Sequence, residues 1–320
     1  MPHLRMSSSP TFFFSFFLAF LILTPRGGVL GATFTFVNKC EYTVWPGILA
    51  NAGSPSLEST GFELPKDSSI AFTAPTGWSG RFWGRTGCNF DESGSGSCAT
   101  GDCGSGEVEC NGAGAAPPAT LAEFALGTVG QDFYDVSLVD GYNLAMVIEA
   151  SGGSGMCATT GCVTDVNQIC PAQLRLNGGQ ACRSACEAFA KAEYCCSGEY
   201  NSPTTCKPSV YSEMFKSACP RSYSYAYDDP TSTFTCSTAD YTLTFCPSLP
   251  SQRSSKETMP TTTSTSGGGT GMESRSRSGG TGMGDGSWLA GLAMGDSTRI
   301  LATSGLHYCI CGVIFLFLFL

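Results

Sequence analysis

A chain of 320 residues with 26 Asp/Glu against 17 Lys/Arg carries a formal charge of −9. Residues 32–246 are more acidic still, with 22 Asp/Glu against 10 Lys/Arg and a charge of −12. Such a surface repels nucleic acid and anionic membranes, and it favours neutral or cationic partners, a neutral polysaccharide among them.

The chain opens with His3 and Arg5 ahead of an apolar run from Phe12 to Leu23. That order predicts a secretory leader over 1–31, cleaved after the small residues around Val29-Leu30-Gly31. The run is shorter than the roughly 20 residues a membrane span needs. Alternating runs then predict strands: Thr33 to Asn38, Arg81 to Arg85, Leu121 to Leu126, Phe133 to Val139, Leu144 to Ile148, Thr233 to Thr235 and Tyr241 to Phe245. Many short strands with turn residues between them point to a mainly β fold, a sandwich or barrel. Ala181 to Glu193 is rich in helix formers, and Cys182, Cys186 and Phe189 share one helical face, so a helix is expected there. Residues 157–220 hold nine cysteines and few strand runs, which predicts a loop-rich lobe held by bridges.

Beyond Cys246 the composition shifts to Ser, Thr and Gly over 247–297, the pattern of a flexible linker. Residues 298–320 end in an apolar stretch with no charge after His307. Small residues, a spacer and a greasy tail match a GPI-attachment signal, with Ser297 the candidate attachment residue. The rival readings are a transmembrane anchor over Leu301 to Leu320, which lacks the usual basic stop, and an unprocessed tail.

Sixteen of the 18 cysteines lie between Cys40 and Cys246, the other two being Cys309 and Cys311. An even, dense set confined to one exported segment indicates disulfides and an oxidising compartment. Zinc is disfavoured because the segment has no histidine; the two in the chain are His3 and His307. No metal and no cofactor is expected. Ser-His-Asp and Cys-His mechanisms lack a base in this segment, so any hydrolysis would rest on carboxylates.

The run Gly94-x-Gly96-x-Cys98-x-Thr100-Gly101-Asp102-Cys103-x-x-Gly106-x-x-x-Cys110 resembles the signature of the plant thaumatin-like, pathogenesis-related proteins. So do Trp83 to Cys88, Thr120 to Phe124, Asp135 to Gly141 and Asp228 to Cys236, which follow in family order over nearly all of 32–246. The resemblance implies a β-sandwich with a disulfide-rich helical lobe (157–220) and a small disulfide hairpin lobe (86–117) around a cleft. It implies eight bridges: Cys40–Cys246, Cys88–Cys98, Cys103–Cys110, Cys157–Cys236, Cys162–Cys219, Cys170–Cys182, Cys186–Cys195 and Cys196–Cys206. Ala145 departs from a common Pro, and Glu107 and Glu109 make the hairpin lobe more acidic than is usual.

The family's cleft is lined by one Arg, one Glu and three Asp, which correspond to Arg81, Glu123, Asp135, Asp140 and Asp229, with Asp228 competing for the last place. Clustered carboxylates accept hydrogen bonds from sugar hydroxyls, or they act as acid and nucleophile/base, here Glu123 and Asp135. Each residue also has a plain structural reading. Arg81 and Arg85 flank Trp83 and would pair with surface acids. Thr120-x-x-Glu123 has capping-box spacing, and Asp140-Gly141 and Asp228-Asp229-Pro230 are ordinary turns. Strict alternation sets Asp135 and Asp140 on opposite faces, so a shared cleft requires a bend between them. Tyr211, Phe215, Tyr223, Tyr225 and Tyr227 are candidate sugar-stacking rings, most of them expected in packing.

Three functions follow as expectations. The first is an extracellular, monomeric defence-type protein that binds β-1,3-glucan or another wall polysaccharide through the acidic cleft. The second is a weak endo-β-1,3-glucanase. The third is a tethered interaction module or hydrolase inhibitor, held at the plasma membrane by the GPI tail.

Overall fold

The computed structural model describes residues 31–128, 130–176 and 178–247. The leader, the linker, the tail, Ser297, Cys309 and Cys311 lie outside them. In chain order the first strands are β1 (Thr33–Asn38), β2 (Trp45–Ala50), β3 (Ser69–Thr73), β4 (Ser79–Arg85), β5 (Asn89–Phe90) and β6 (Gly96–Ser97). Next come β7 (Leu121–Ala125), β8 (Asp132–Ser137), β9 (Met146–Ser151), β10 (Thr160–Cys162), β11 (Arg175–Leu176) and β12 (Ala181–Cys182). Four short helices then precede β13 (Phe234–Cys236) and β14 (Asp240–Phe245).

Ten of these strands form two five-stranded sheets, ordered β10-β9-β14-β1-β3 and β13-β8-β7-β4-β2. The first and last long strands, β1 and β14, pair parallel at the centre of the first sheet. Alternation explains the packing: Phe34 and Phe36 of β1 point into the sandwich, alternating with half-buried Thr33, Thr35 and Val37. There they meet Phe82 of β4 and Phe124 of β7, with Phe34 ring centroids 4.8 and 4.7 Å from those two rings. These edge-on aromatic contacts make up the middle of the core. Pro46 lies in β2, an edge strand, where a missing ladder donor is tolerated.

The second sheet is buried on both faces. Phe82, Phe124, Tyr134 and Val136 face the sandwich core, while Trp83 and Leu121 on the other face pack with Cys103 and Cys110. Those cysteines belong to the hairpin lobe carrying β5 and β6. Arg85 ties that lobe down. Its guanidinium is fully buried and donates to the carbonyls of Trp45, Pro46 and Val108, not to surface acids as its position beside Trp83 suggested. Burial lowers its pKa to about 10 against the pull of Asp102 and Glu109.

Among the described residues eight disulfides, the number expected, join Cys40–Cys246, Cys88–Cys98, Cys103–Cys110, Cys157–Cys236, Cys162–Cys219, Cys170–Cys182, Cys186–Cys195 and Cys196–Cys206. The lobe that holds most of them departs from the expected single helix over 181–193. Ala181–Cys182 is strand β12, and Ser184 caps a helix of only five residues, Ala185–Phe189. Ala190, at φ 52°, ends it in the left-handed conformation before a second turn, Ala192–Cys195. Helix propensity is overridden because Cys186–Cys195 draws the two turns together. The longest helix, Val210–Ala218, carries a capping box between Ser209 and Ser212.

Candidate functional site

The outer face of the second sheet carries one polar row. Arg81 of β4 is the register partner of Glu123 of β7, and Glu123 is the register partner of Asp135 of β8. Direct cross-strand neighbours have Cβ atoms roughly 4.5–5.5 Å apart, so the three side chains form a contiguous line. Thr120 does not cap a helix; its hydroxyl donates to the Leu144 carbonyl, and Glu123 sits in mid-strand.

The row is buried: Arg81 is 8% exposed, Glu123 1% and Asp135 2%. Arg81 Nε and Glu123 Oε1 form an ion pair at 3.7 Å, too long for a hydrogen bond. Arg81 Nε, both Glu123 oxygens and Asp135 Oδ1 have no hydrogen-bond partner among the described residues. Burial pushes Glu123 up to about 8, with Arg81 opposing and Asp140 adding to the rise. Asp135 is driven well above the usual carboxylate range by burial and then by Glu123, with Arg81 again opposing. Two carboxyls this close in a dry setting cannot both ionise easily, so at neutral pH the pair holds a proton.

Asp140 and Asp229 are half-buried and near enough for their charges to act on the row, Asp140 on Glu123 and Asp229 on Asp135. Strand β8 ends at Ser137, and the chain turns through Gly141, whose φ of 88° is left-handed. A Cβ on Gly141 would lie 2.7 Å from the Cys182 carbonyl oxygen, so only glycine fits this close approach. The turn it closes, with Gly141 N donating to the Leu138 carbonyl at 3.0 Å, takes Asp140 out of the alternation of β8. Burial raises Asp140, and Arg81 opposes the rise. Asp229 opens a one-turn helix, Asp229–Ser232, and accepts from the Tyr223 hydroxyl at 3.1 Å. Its charge helps raise Asp135. Asp228 faces elsewhere, pairing with Lys216 at 3.0 Å and accepting from Ser224.

Two further residues were not singled out from sequence. Arg183 and Glu187 flank the start of the helix Ala185–Phe189, and each has a buried polar atom with no hydrogen-bond partner among the described residues. Burial pushes Glu187 up to about 7, with Arg183 opposing and Asp140 adding. Asp140 therefore acts on Glu123 and on Glu187 alike. Nothing in the local sequence marks Glu187, because Ser184-x-x-Glu187 reads as helix-cap spacing.

Of the candidate rings, Phe215 and Tyr223 are 1% exposed and serve packing, whereas Tyr211, Tyr225 and Tyr227 are half-buried. Among the described residues, no group of three or more His, Cys, Asp or Glu is arranged to hold a metal ion.

The family model described as Thaumatin family matches residues 38–247. The chain belongs to the thaumatin family. Its thaumatin domain is similar to Thaumatin-like protein 1 of Arabidopsis thaliana, 68% identical over 69% of this chain and 88% of that protein. Pathogenesis-related thaumatin-like protein 3.5 of Cryptomeria japonica is 61% identical, covering 68% and 91% of the two chains. A Prunus avium protein named Glucan endo-1,3-beta-glucosidase is 52% identical over 71% of this chain and 95% of its own. The acidic row lies on β4, β7 and β8, within the matched span.

Proposed function

We propose that the chain is a secreted, defence-type protein that binds β-1,3-glucan or a related wall polysaccharide at the acidic face of its thaumatin domain. The observation that carries this reading is the in-register row Arg81–Glu123–Asp135, whose buried polar atoms lack partners and whose carboxyls feel the charges of half-buried Asp140 and Asp229. Sugar hydroxyls both donate and accept, so they suit a site of mixed guanidinium and carboxyl groups. Half-buried Asp140 and Asp229 meet the hydroxyls first, and the buried row behind them fixes the local charge.

Binding is favoured over hydrolysis by burial. A general acid must come within about 2.6–3.2 Å of the glycosidic oxygen, and side chains 1% and 2% exposed do not present themselves to a polymer. The second reading, weak endo-β-1,3-glucanase activity, draws on the raised carboxyls of Glu123 and Asp135 standing side by side across the β7–β8 ladder. The name of the Prunus avium relative supports it too.

The test compares the wild type with an Asp140→Asn/Asp229→Asn variant in pull-down on insoluble β-1,3-glucan, and with a Glu123→Gln/Asp135→Asn variant in reducing-end release from laminarin. Loss of pull-down with no sugar released by either protein supports binding. Unchanged pull-down in the first variant overturns the cleft as the site, and release abolished in the second makes the chain a glucanase. Leader cleavage near Ala32, a GPI anchor at Ser297 and a monomeric state complete the proposal. Treating cells with a phosphatidylinositol-specific phospholipase should free the protein, and retention on the cells would overturn the anchor.

A further inference from the structure

A cavity of about 480 Å³ lies past the end of β4, lined in part by Tyr42, Trp45, Thr86, Asn143, Asn167 and Gln180. Thr86 is five residues along the chain from Arg81, roughly 16 Å at strand spacing, so the cavity is separate from the acidic row. Its lining residues include no Asp, Glu, Lys, Arg or His, although the domain is strongly acidic. The volume is within the range of small-molecule sites.

We propose that this cavity is a second carbohydrate site, taking a neutral pyranose unit or a short oligosaccharide. Its chemistry differs from that of the acidic face. Tyr42 is 48% exposed and Trp45 half-buried, and such amphipathic rings offer apolar area beside a polar tip. The exposed Gln180 amide and the hydroxyls of Thr43 and Thr86 share the lining and can meet sugar hydroxyls, with Asn143 and Asn167 forming the wall behind them.

The wall is preorganised. Asn143, 4% exposed, accepts from Thr120 N at 3.0 Å and donates to Gly84 O at 2.8 Å and to Thr100 Oγ1 at 2.9 Å. Asn167 Nδ2 donates to Asn143 O at 2.9 Å and Gln180 O at 3.2 Å, which locks its amide. The other end of that amide, Asn167 Oδ1, is buried with no hydrogen-bond partner among the described residues. That oxygen is closed off from the cavity, so Asn167 acts on a ligand by fixing Gln180 and Asn143 in the wall rather than by touching it. Asn38 Nδ2 donates to the Tyr42 carbonyl at 2.8 Å, so the exposed ring rises from a fixed backbone. Ligand ordering is then the main entropic cost, because the wall is already set.

The experiment titrates laminaritriose, cellotriose and mannotriose, each to about 10 mM, into the ¹⁵N-labelled full chain, following the Trp45 indole and the Asn143, Asn167 and Gln180 side-chain amides. Saturable shifts of these signals with at least one trisaccharide are expected. They should persist in Asp140→Asn/Asp229→Asn and weaken at least about tenfold in Tyr42→Ala and in Asn167→Ala. Tyr42 is exposed, so its truncation leaves the fold intact, and an unchanged melting temperature verifies this. Absence of shifts at these signals, or shifts that survive both Tyr42→Ala and Asn167→Ala, would overturn the second site without touching the acidic one. Loss of glucan pull-down only on Asp140/Asp229 substitution, with these shifts intact, supports two independent sites.

Discussion

Glu123 and Asp135 face each other as direct register partners across the β7–β8 ladder, both almost wholly buried and both with unmatched oxygens. The ordinary value for Glu123 is 4.5, and folding lifts it to about 8. The folded state therefore keeps a proton that the unfolded chain gives up between those two values. The stability tied to this proton is fully present below about pH 4.5 and lost as pH rises through about 8. Glu123→Gln removes the titration at nearly constant shape. Its melting temperature should match the wild type near pH 4.5 and exceed it near pH 8.5 by several degrees, about 2–4 °C per kcal/mol for a domain of this size. Calorimetry at the two pH values decides it; a gap that does not grow with pH would mean that Glu123 is not the proton's holder.

Tyr223 holds Asp229 through its hydroxyl. Tyr223→Phe removes that bond while leaving the ring in its packing. Hydrogen bonds to charged groups contribute about 1.5–3 kcal/mol, so a measurable fall in stability is expected. Glucan pull-down should weaken severalfold as Asp229 loses its fixed position. Binding unchanged beside the lowered stability would remove Asp229 from the site.

Arg85→Lys keeps the charge but loses the planar fork that reaches carbonyls of β2 and of the hairpin lobe at once. Buried carbonyls left without donors cost about 1–3 kcal/mol each. Limited proteolysis should then cut within 86–117 before the sandwich is attacked. Nicking elsewhere first would deny Arg85 its role as the lobe's tether.

Cys40–Cys246 closes a loop of 206 residues and Cys103–Cys110 one of 7. In the chain-entropy model the long loop is worth about 5 kcal/mol and the short one about 2. Replacing each pair with serine should lower the melting temperature far more for the first. Equal losses would show that local packing, not loop closure, sets what a bridge contributes.

Several parts of this protein were legible in the sequence because they depend on neighbours along the chain. The alternation of Phe34 and Phe36 marked β1, that of Ala122 and Phe124 marked β7, and the confinement of sixteen cysteines to 40–246 marked a disulfide domain. The thaumatin motifs named the residues of a cleft without their geometry. The strands β2 and β3 were missed because Pro46 and the polar ends of Ser69–Thr73 blur the period-two pattern. The helix expected over 181–193 was broken by a bridge and a left-handed residue that propensity does not register.

What only the tertiary structure decided is non-local. Register sets Arg81, Glu123 and Asp135 in one line, although they are up to 54 positions apart in the chain. The turn at Gly141 brings Asp140 round to them, Tyr223 separates Asp229 from its neighbour Asp228, and the packing of the bridged lobe sets Glu187 near Asp140. Burial then turns ordinary carboxyls into proton holders. The reason is physical: desolvation and charge coupling depend on distance in space, and a linear sequence encodes that distance only through the fold it adopts.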